Sequence, residues 1–260
     1  MTTDFDPGPP PAVAAHFGQL PSYAAHRDSF WYDWGPILYR GRLDGSARIL
    51  CIASDPGPTE RVAHRTLVGD AGQRVQGFLT KLGLTRSYVC VNAFAYGLFP
   101  SRSMSANPIL SEPAQLTWRN ELLDLITGPA LQAIVAFGFQ ARTALDLWSA
   151  APDVLTLKVV HPSNPDDDRL VTEYHAAVEA LRAVVTPDPD GDPTVPNYGA
   201  AFTEQDYAAI PSGDLPFGVP PWLGDDAPGR AAHPRHNNTV ERDPEDRDHT
   251  LFWHAPPDQP

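Results

Sequence analysis

The sequence predicts a three-layer α/β/α protein, with a central four-stranded parallel sheet followed by an irregular Pro-rich C-terminal extension. Short apolar runs rich in β-branched residues alternate with longer segments of helical periodicity, which is the pattern of a parallel sheet covered by helices on both faces. This alternation stops at Thr186, beyond which Pro, Asp and Gly become frequent. We therefore expect an N-terminal arm over residues 1–20, a globular body over residues 21–186 and an acidic extension over residues 187–260 that either docks on the body or is disordered.

Each expected element has a local signal in the chain. The aromatic-rich residues 21–40 are predicted to form a helix followed by a packed loop. The four strands are β-branched apolar runs over residues 48–54, 88–94, 132–137 and 156–160. A helix follows each strand, over residues 72–83, 112–127, 138–148 and 166–185. Gly83 marks the end of the first helix, Ser111 and Pro113 the start of the second, and Asp166 the start of the last.

Composition limits the possible functions. No run of 18 apolar residues occurs, so no membrane span is expected. The first residues lack the basic start and apolar stretch of a secretory signal. Cys51 and Cys90 both fall within predicted strands, and buried free thiols suit a reducing cytoplasm, which is the expected location. We expect no membrane partner and a monomer.

The net charge of −13 disfavours general, high-affinity binding of DNA, because phosphate contacts need cations. However, residues 187–260 hold 14 acidic and four basic residues, so most of the negative charge belongs to the extension. The body is close to neutral, and a local basic groove on it remains compatible with the composition.

Polar residues follow the first and the last predicted strand. Ser54-Asp55-Pro56-Gly57 comes directly after one apolar run, and His161-Pro162-Ser163 comes after another. The carboxyl ends of parallel strands share one edge of a sheet, where ligands bind, so Asp55 and His161 are expected to face each other. The long loops 55–71 and 95–110 leave the same edge and are therefore expected to be functional. A carboxylate and an imidazole so placed can activate water against a leaving group that departs as an anion.

Four segments between residues 45 and 185 resemble motifs of the uracil-DNA glycosylase superfamily. The SDPG sequence at 54–57 is similar to the first motif of that superfamily, which reads GQDPY, GINPG or GEAPG, and HPS at 161–163 is similar to its last. The segment RTLVGDAGQRV at 65–75 resembles RPFVGPAGQLL of the GEAPG branch, and YVCVN at 88–92 resembles its YITN strand. The two cysteines of the chain are too few for an iron–sulfur cluster, which needs four protein ligands.

The resemblance implies roles for individual residues. Asp55 would orient the attacking water and stabilise a positively charged sugar, and His161 would hydrogen-bond the departing base. Asn92 would read the Watson–Crick edge of a flipped pyrimidine, for which a carboxamide offers both a donor and an acceptor. Ser163 would hold a phosphate, and Asn164 occupies the place of a DNA-inserting wedge. The remaining candidates are Ser54, Pro56, Gly57, Leu67 and Phe94 for the base and Arg102 for DNA.

Two departures from the superfamily concern the size of the base. Leu67 stands where relatives stack a phenylalanine, although Phe94, Tyr96 or Phe99 could replace that ring. Gly57 stands where the GQDPY motif has a tyrosine that blocks the 5-methyl group of thymine. Both changes would make room for a bulky C5-modified pyrimidine, such as the glucosylated hydroxymethylcytosine of phage DNA. A glycosylase that acts on such a base would serve antiviral defence. Uracil or another deaminated base remains the alternative.

The sequence therefore predicts a monofunctional DNA glycosylase that needs no metal or organic cofactor. Lys81 and Lys158, the two lysines, lie outside both motifs, which disfavours lyase chemistry through a Schiff base. His233 and His236 have a loose zinc-like spacing without the cysteine or carboxylate framework of a zinc site. The rival interpretations are a catalytically silent binder of altered DNA, with a protein-contacting tail, and a different hydrolase that acts on nucleotides.

Overall fold

The molecule is built around a five-stranded sheet, as shown by a computed structural model that describes residues 5–218 of the 260-residue chain. The strands are β1 (Tyr39–Gly41), β2 (Ile49–Ala53), β3 (Tyr88–Asn92), β4 (Ala133–Phe137) and β5 (Leu155–Val159). Their order is β1-β3-β2-β4-β5. Strands β2 to β5 run parallel, and β1 pairs antiparallel with β3. The predicted α/β class is therefore confirmed.

The additional strand β1 corrects the expected count of four. It covers three residues, which is too short to show an alternating pattern. Gly41 ends it with φ of 91°, and a Cβ at this position would lie 2.4 Å from the carbonyl oxygen of Tyr88. A glycine is therefore needed where the edge strand leaves the sheet.

Helices cover both faces of the sheet. They are α1 (Pro11–Phe17), α2 (Pro58–Ala63), α3 (Asp70–Lys81), α4 (Pro113–Ile126), α5 (Phe139–Asp146) and α6 (Asp167–Arg182). Helices α1, α4 and α5 enclose one apolar cluster, and α3 and α6 enclose the other. Strand β2 supplies both clusters, because Leu50 and Ile52 point to one face and Ile49, Cys51 and Ala53 to the other. All five side chains are buried, which is typical of a central parallel strand.

Several local predictions need correction. The N-terminal arm contains α1, and short 3₁₀ helices at Ala24–Ser29 and Tyr32–Trp34 replace the helix expected in residues 21–40. The N-cap of α4 is Glu112, because the Ser111 hydroxyl bonds to the carbonyl oxygen of Pro108 instead. The prediction that Asp166 caps α6 is confirmed, since its carboxylate accepts a hydrogen bond from the amide of Arg169.

The described part of the C-terminal extension lies against the body. The Asp188 carboxylate accepts hydrogen bonds from the backbone amides of Thr85, Arg86 and Ser87, and Asp214 pairs with the buried Arg40 at 2.9 Å. The extension therefore supplies carboxylates to buried polar groups of the sheet. Residues 219–260, with His233 and His236, lie outside the described residues. Between residues 5 and 218, no helix has the length and apolar character needed to cross a bilayer.

Candidate active site

The carboxyl ends of β2 to β5 form the edge at which the predicted residues meet. The chain moves from β2 to β3 on one side and then to β4 on the other side of β2. Such a reversal opens a crevice between the two central strands, here β2 and β4. Asp55 follows β2 by two residues, and His161 follows β5 by two residues. Because β4 lies between them, the ends of β2 and β5 are about 10 Å apart, twice the usual spacing of neighbouring strands.

Asp55 is a partly buried carboxylate that is held at both oxygens. The Ser54 hydroxyl donates to Oδ1 at 2.6 Å, and the Leu98 amide donates to Oδ2 at 2.8 Å. Burial raises the pKa of Asp55 to about 6, although both hydrogen bonds act in the opposite direction; the charge of Glu60 contributes to the rise. At pH 7 roughly nine-tenths of this group is therefore ionised. The site holds a fixed carboxylate that is more basic than an ordinary aspartate.

His161 is a neutral imidazole with a defined tautomer. Burial lowers its pKa to about 4. The backbone amide of Ser163 donates to Nδ1 at 3.1 Å, so the ring proton of the neutral form is on Nε2. His161 can therefore donate one hydrogen bond through Nε2 while it carries no charge.

Groups on neighbouring elements hold the His161 turn in place. The amide of Val160 donates to the Glu173 carboxylate at 2.7 Å, and Arg74 donates to the carbonyl oxygen of Pro162 at 3.0 Å. Gly138, at the end of β4, lies against the imidazole. A Cβ on Gly138 would be 2.9 Å from Cβ of His161 and 3.2 Å from its ring. His161 therefore packs directly against the backbone of Gly138, where a side chain would displace it.

Asn92 ends β3 beside the first motif. It pairs in register with Ala53, and the chain stays next to β2 because the amide of Phe94 donates to the carbonyl oxygen of Ser54 at 3.0 Å. Both Oδ1 and Nδ2 of Asn92 are buried, and neither has a hydrogen-bond partner among residues 5–218. A buried group without a partner costs about 1–3 kcal/mol, so this amide calls for a partner, such as water or a ligand, that residues 5–218 do not supply.

The loop after Asp55 contains α2, which the sequence did not predict. Gly57 precedes the helix, and its amide donates to Glu60 Oε2 at 3.0 Å. The other oxygen of Glu60 accepts from the amides of Val68 and Gly69 at 2.7 and 2.8 Å. Leu67 is 5% exposed and has φ of 53°, a left-handed conformation that is uncommon for leucine. It packs into the apolar cluster under α3 and α6. The Glu60 carboxylate bonds to backbone amides near both ends of this loop.

The structure does not bring all predicted residues to the crevice. The ring of Phe94 is fully buried and packs edge-on against Phe30, so in this conformation it has no face for a base. Ser163 is exposed, while the amide of Asn164 donates to the carbonyl oxygen of His161 and its side chain bonds to the amide of Asp166. Pro56 is buried, and its carbonyl oxygen lies close to Gly97.

Three arginines near the site, Arg65, Arg74 and Arg119, are also buried. Each is bonded to the protein: Arg65 to Asp6, Arg74 to Pro162 and Arg119 to Leu110. These guanidinium groups therefore support the fold from inside. The exposed Arg102, in contrast, lines a cavity near the site.

That cavity measures about 700 Å³ and was not predicted. Its walls are aromatic rings and charged side chains, namely Arg27, Asp28, Phe30, Trp31, Tyr32, Asp33, Trp34, Arg61, Phe99 and Arg102. The sequence interpretation assigned Trp31 and Trp34 to packing. The sequence could have indicated this cavity through residues 27–34, which are rich in tryptophan, tyrosine and charged residues. This segment has neither helical nor strand periodicity.

Within residues 5–218, no group of three His, Cys, Asp or Glu side chains is arranged to hold a metal ion. Comparison of the chain with protein-family models and with curated proteins found no match.

Proposed function

We propose that this protein is a DNA glycosylase, which hydrolyses the N-glycosidic bond of an unstacked pyrimidine nucleotide and leaves an abasic site. The observation that carries the proposal is the buried, unpartnered carboxamide of Asn92 beside Asp55 on one sheet edge. A pyrimidine ring presents donors and acceptors in one plane, which a carboxamide can match. The neutral His161 follows β5 on the same edge and is the third proposed site residue, with Asp55 and Asn92.

In the proposed reaction, Asp55 acts on the attacking water. Each of its oxygens accepts one protein hydrogen bond, which leaves acceptor capacity for a water molecule. Oxygen of water bonds to C1′ of the sugar while the bond from C1′ to the base nitrogen breaks. The water proton passes to Asp55 and then to solvent. The negative carboxylate also stabilises the positive charge that develops on the sugar.

His161 acts on the leaving base. The electron pair of the broken bond moves into the base, whose carbonyl oxygen becomes negatively charged. Donation of a hydrogen bond from Nε2 to this oxygen becomes stronger as the charge develops, so it lowers the barrier. The base then takes up a proton from solvent. His161 needs no proton transfer for this role, in agreement with its low pKa.

The chemistry proposed is monofunctional. Lys81 is paired with Asp206, and Lys158 with Asp146, so both lysines are engaged elsewhere. We place the activity in the cytoplasm, because Cys51 and Cys90 are buried free thiols of the kind kept in reducing compartments. The base is either uracil or a pyrimidine with a bulky C5 group.

The proposal is tested by incubating the full chain with oligonucleotides that carry uracil, hypoxanthine, 5-hydroxymethylcytosine or its glucosylated form. Abasic sites are counted as alkali-labile strand breaks. We expect wild type to release at least one pyrimidine, and Asp55→Asn and His161→Asn to be slower by about 10²–10⁴-fold. The exposed Asp192→Asn serves as a matched control with wild-type rates.

Equal rates for wild type and Asp55→Asn would overturn this mechanism. If neither protein releases a base from any oligonucleotide but wild type binds one of them selectively, the chain is a binder of altered DNA, and the catalytic proposal is wrong.

A further inference from the structure

The cavity lined by Trp31, Trp34 and the neighbouring charged residues, here called the tryptophan pocket, has the composition of a ligand site. Trp31 is 41% exposed, and its ring is stacked on Trp34 with centroids 5.3 Å apart and planes 7° from parallel. Phe99 closes one side at 4.4 Å from Trp31, and the guanidinium of Arg61 lies over Trp34 at 5.7 Å. The cavity of about 700 Å³ has the usual size of a small-molecule site, and the half-exposed ring of Trp31 forms part of its wall.

The charged residues of the tryptophan pocket narrow the class of ligand. Three guanidinium groups and two carboxylates line it, so the charges nearly cancel. A phosphate-rich strand would be attracted by Arg27, Arg61 and Arg102 but repelled by Asp28 and Asp33. A neutral polyhydroxyl group can use both signs, because its hydroxyls accept from guanidinium and donate to carboxylate. Aromatic faces attract the weakly positive C–H edge of such a group.

The tryptophan pocket is directly connected to the first motif. The amide of Trp31 donates to the carbonyl oxygen of Gly97 at 2.7 Å, and the next residue, Leu98, donates to Asp55. A Cβ on Gly97 would touch both the carbonyl oxygen of Pro56 at 2.6 Å and the ring of Trp34 at 3.1 Å. Arg61 belongs to α2, which begins directly after Gly57. The tryptophan pocket and the first motif are therefore joined through Gly97, Leu98 and α2.

We propose that the tryptophan pocket holds a sugar attached to the pyrimidine base, so that the substrate is a glycosylated base in DNA. This inference rests on the proposed function and names its substrate class. The base occupies the crevice beside Asp55 and Asn92. Its substituent extends into the tryptophan pocket and stacks on Trp31 and Trp34, with hydroxyls bonded to the charged residues.

The test compares the glucosylated and the plain 5-hydroxymethylcytosine oligonucleotide, using the full chain. The first measurement is the ratio of kcat/KM for the two DNAs. We expect this ratio to fall about tenfold in Trp31→Ala and in Asp33→Asn, because each removes a contact that only the sugar makes. The control Phe217→Ala removes an aromatic ring that is 84% exposed, and it should leave the ratio unchanged.

The second measurement is binding, followed by tryptophan fluorescence in the inactive Asp55→Asn protein. The glucosylated oligonucleotide should bind about tenfold more tightly than the plain one, and Trp31→Ala should abolish the difference. If Trp31→Ala instead weakens both oligonucleotides equally, the pocket stacks on an unpaired base, and the sugar assignment is overturned.

The two measurements separate this inference from the proposed function. Release of uracil without any preference for the glucosylated DNA, in rate or in binding, would leave the glycosylase proposal intact and overturn the sugar assignment. A preference in binding that depends on Trp31, without release of any base, would support the sugar assignment and contradict the glycosylase proposal.

Discussion

Among single residues, Asp55 determines how the proposed reaction depends on pH. Its pKa is raised to about 6, so the carboxylate takes up a proton as the pH falls through 6 and can then no longer activate water. His161, with a pKa of about 4, stays neutral over the same range. We therefore expect kcat/KM to fall about tenfold per pH unit below pH 6, with a single proton involved down to about pH 4.

Ser54→Ala provides the matched variant for this pH profile. The Ser54 hydroxyl bonds to the Asp55 carboxylate and lowers its pKa, so removal of this hydroxyl should move the acid limb of kcat/KM to higher pH. An acid limb near pH 4 in both proteins would mean that Asp55 is not the group whose ionisation controls the rate.

The position of these residues at one edge of the sheet was predictable from the sequence, whereas the packing of their neighbours was not. Asp55, Asn92 and His161 each end or follow a strand, so strand prediction alone places them on one edge. The burial of Phe94 and Leu67 depends on which face of a loop packs against the helices. That choice is made by long-range contacts, such as Phe94 with Phe30, which local patterns do not contain.

At the level of elements, the junction between β4 and α5 controls the position of His161. Gly138 has φ of 91°, and a Cβ there would lie 2.9 Å from Cβ of His161. We expect Gly138→Ala to displace the imidazole and to reduce kcat about 10²-fold, because a shift of about 1 Å in a catalytic group has effects of this size.

Gly18→Ala, at the end of α1, is the control, since the nearest atom to an added Cβ there is 3.4 Å away. Rates and the circular dichroism spectrum should be measured for both variants. Wild-type rates in a folded Gly138→Ala protein would show that the contact with His161 is unimportant.

Elements differ in how well the sequence predicted them. Strands β2 to β4 are buried and rich in β-branched or small apolar residues, and the edge strand β5 alternates between exposed and more buried positions, so each carries a strong local signal. Strand β1 is stabilised by pairing with β3 and by the fit of Gly41 to Tyr88, and α2 by the three amides that bond to Glu60. Both are products of contacts between distant segments and therefore escaped prediction.

In the whole molecule, residues 187–218, the described part of the extension, belong to the folded body. Asp214 accepts from the fully buried Arg40 at 2.9 Å and from the hydroxyl of Tyr88 at 2.7 Å. Arg74, which bonds the His161 turn, also bonds to the hydroxyl of Tyr207 in the extension at 3.0 Å. The extension therefore supports both the sheet and the site.

We expect Asp214→Ala to lower the free energy of unfolding by about 3–5 kcal/mol, because it leaves Arg40 buried without a carboxylate. The matched control is Asp192→Ala, an exposed carboxylate of the same extension, with an effect within about 0.5 kcal/mol. Urea unfolding followed by fluorescence measures both. Equal stability of the two variants would mean that the extension contributes little to the fold.

The lone carboxamide of Asn92 has a practical consequence. Its two polar atoms have no hydrogen-bond partner within residues 5–218, so we expect a ligand that bonds to them to stabilise the protein. A molecule with matching polar groups raises the melting temperature on binding, even without turnover. Heating the protein with a collection of free bases and nucleosides would thus rank ligands before any substrate is known.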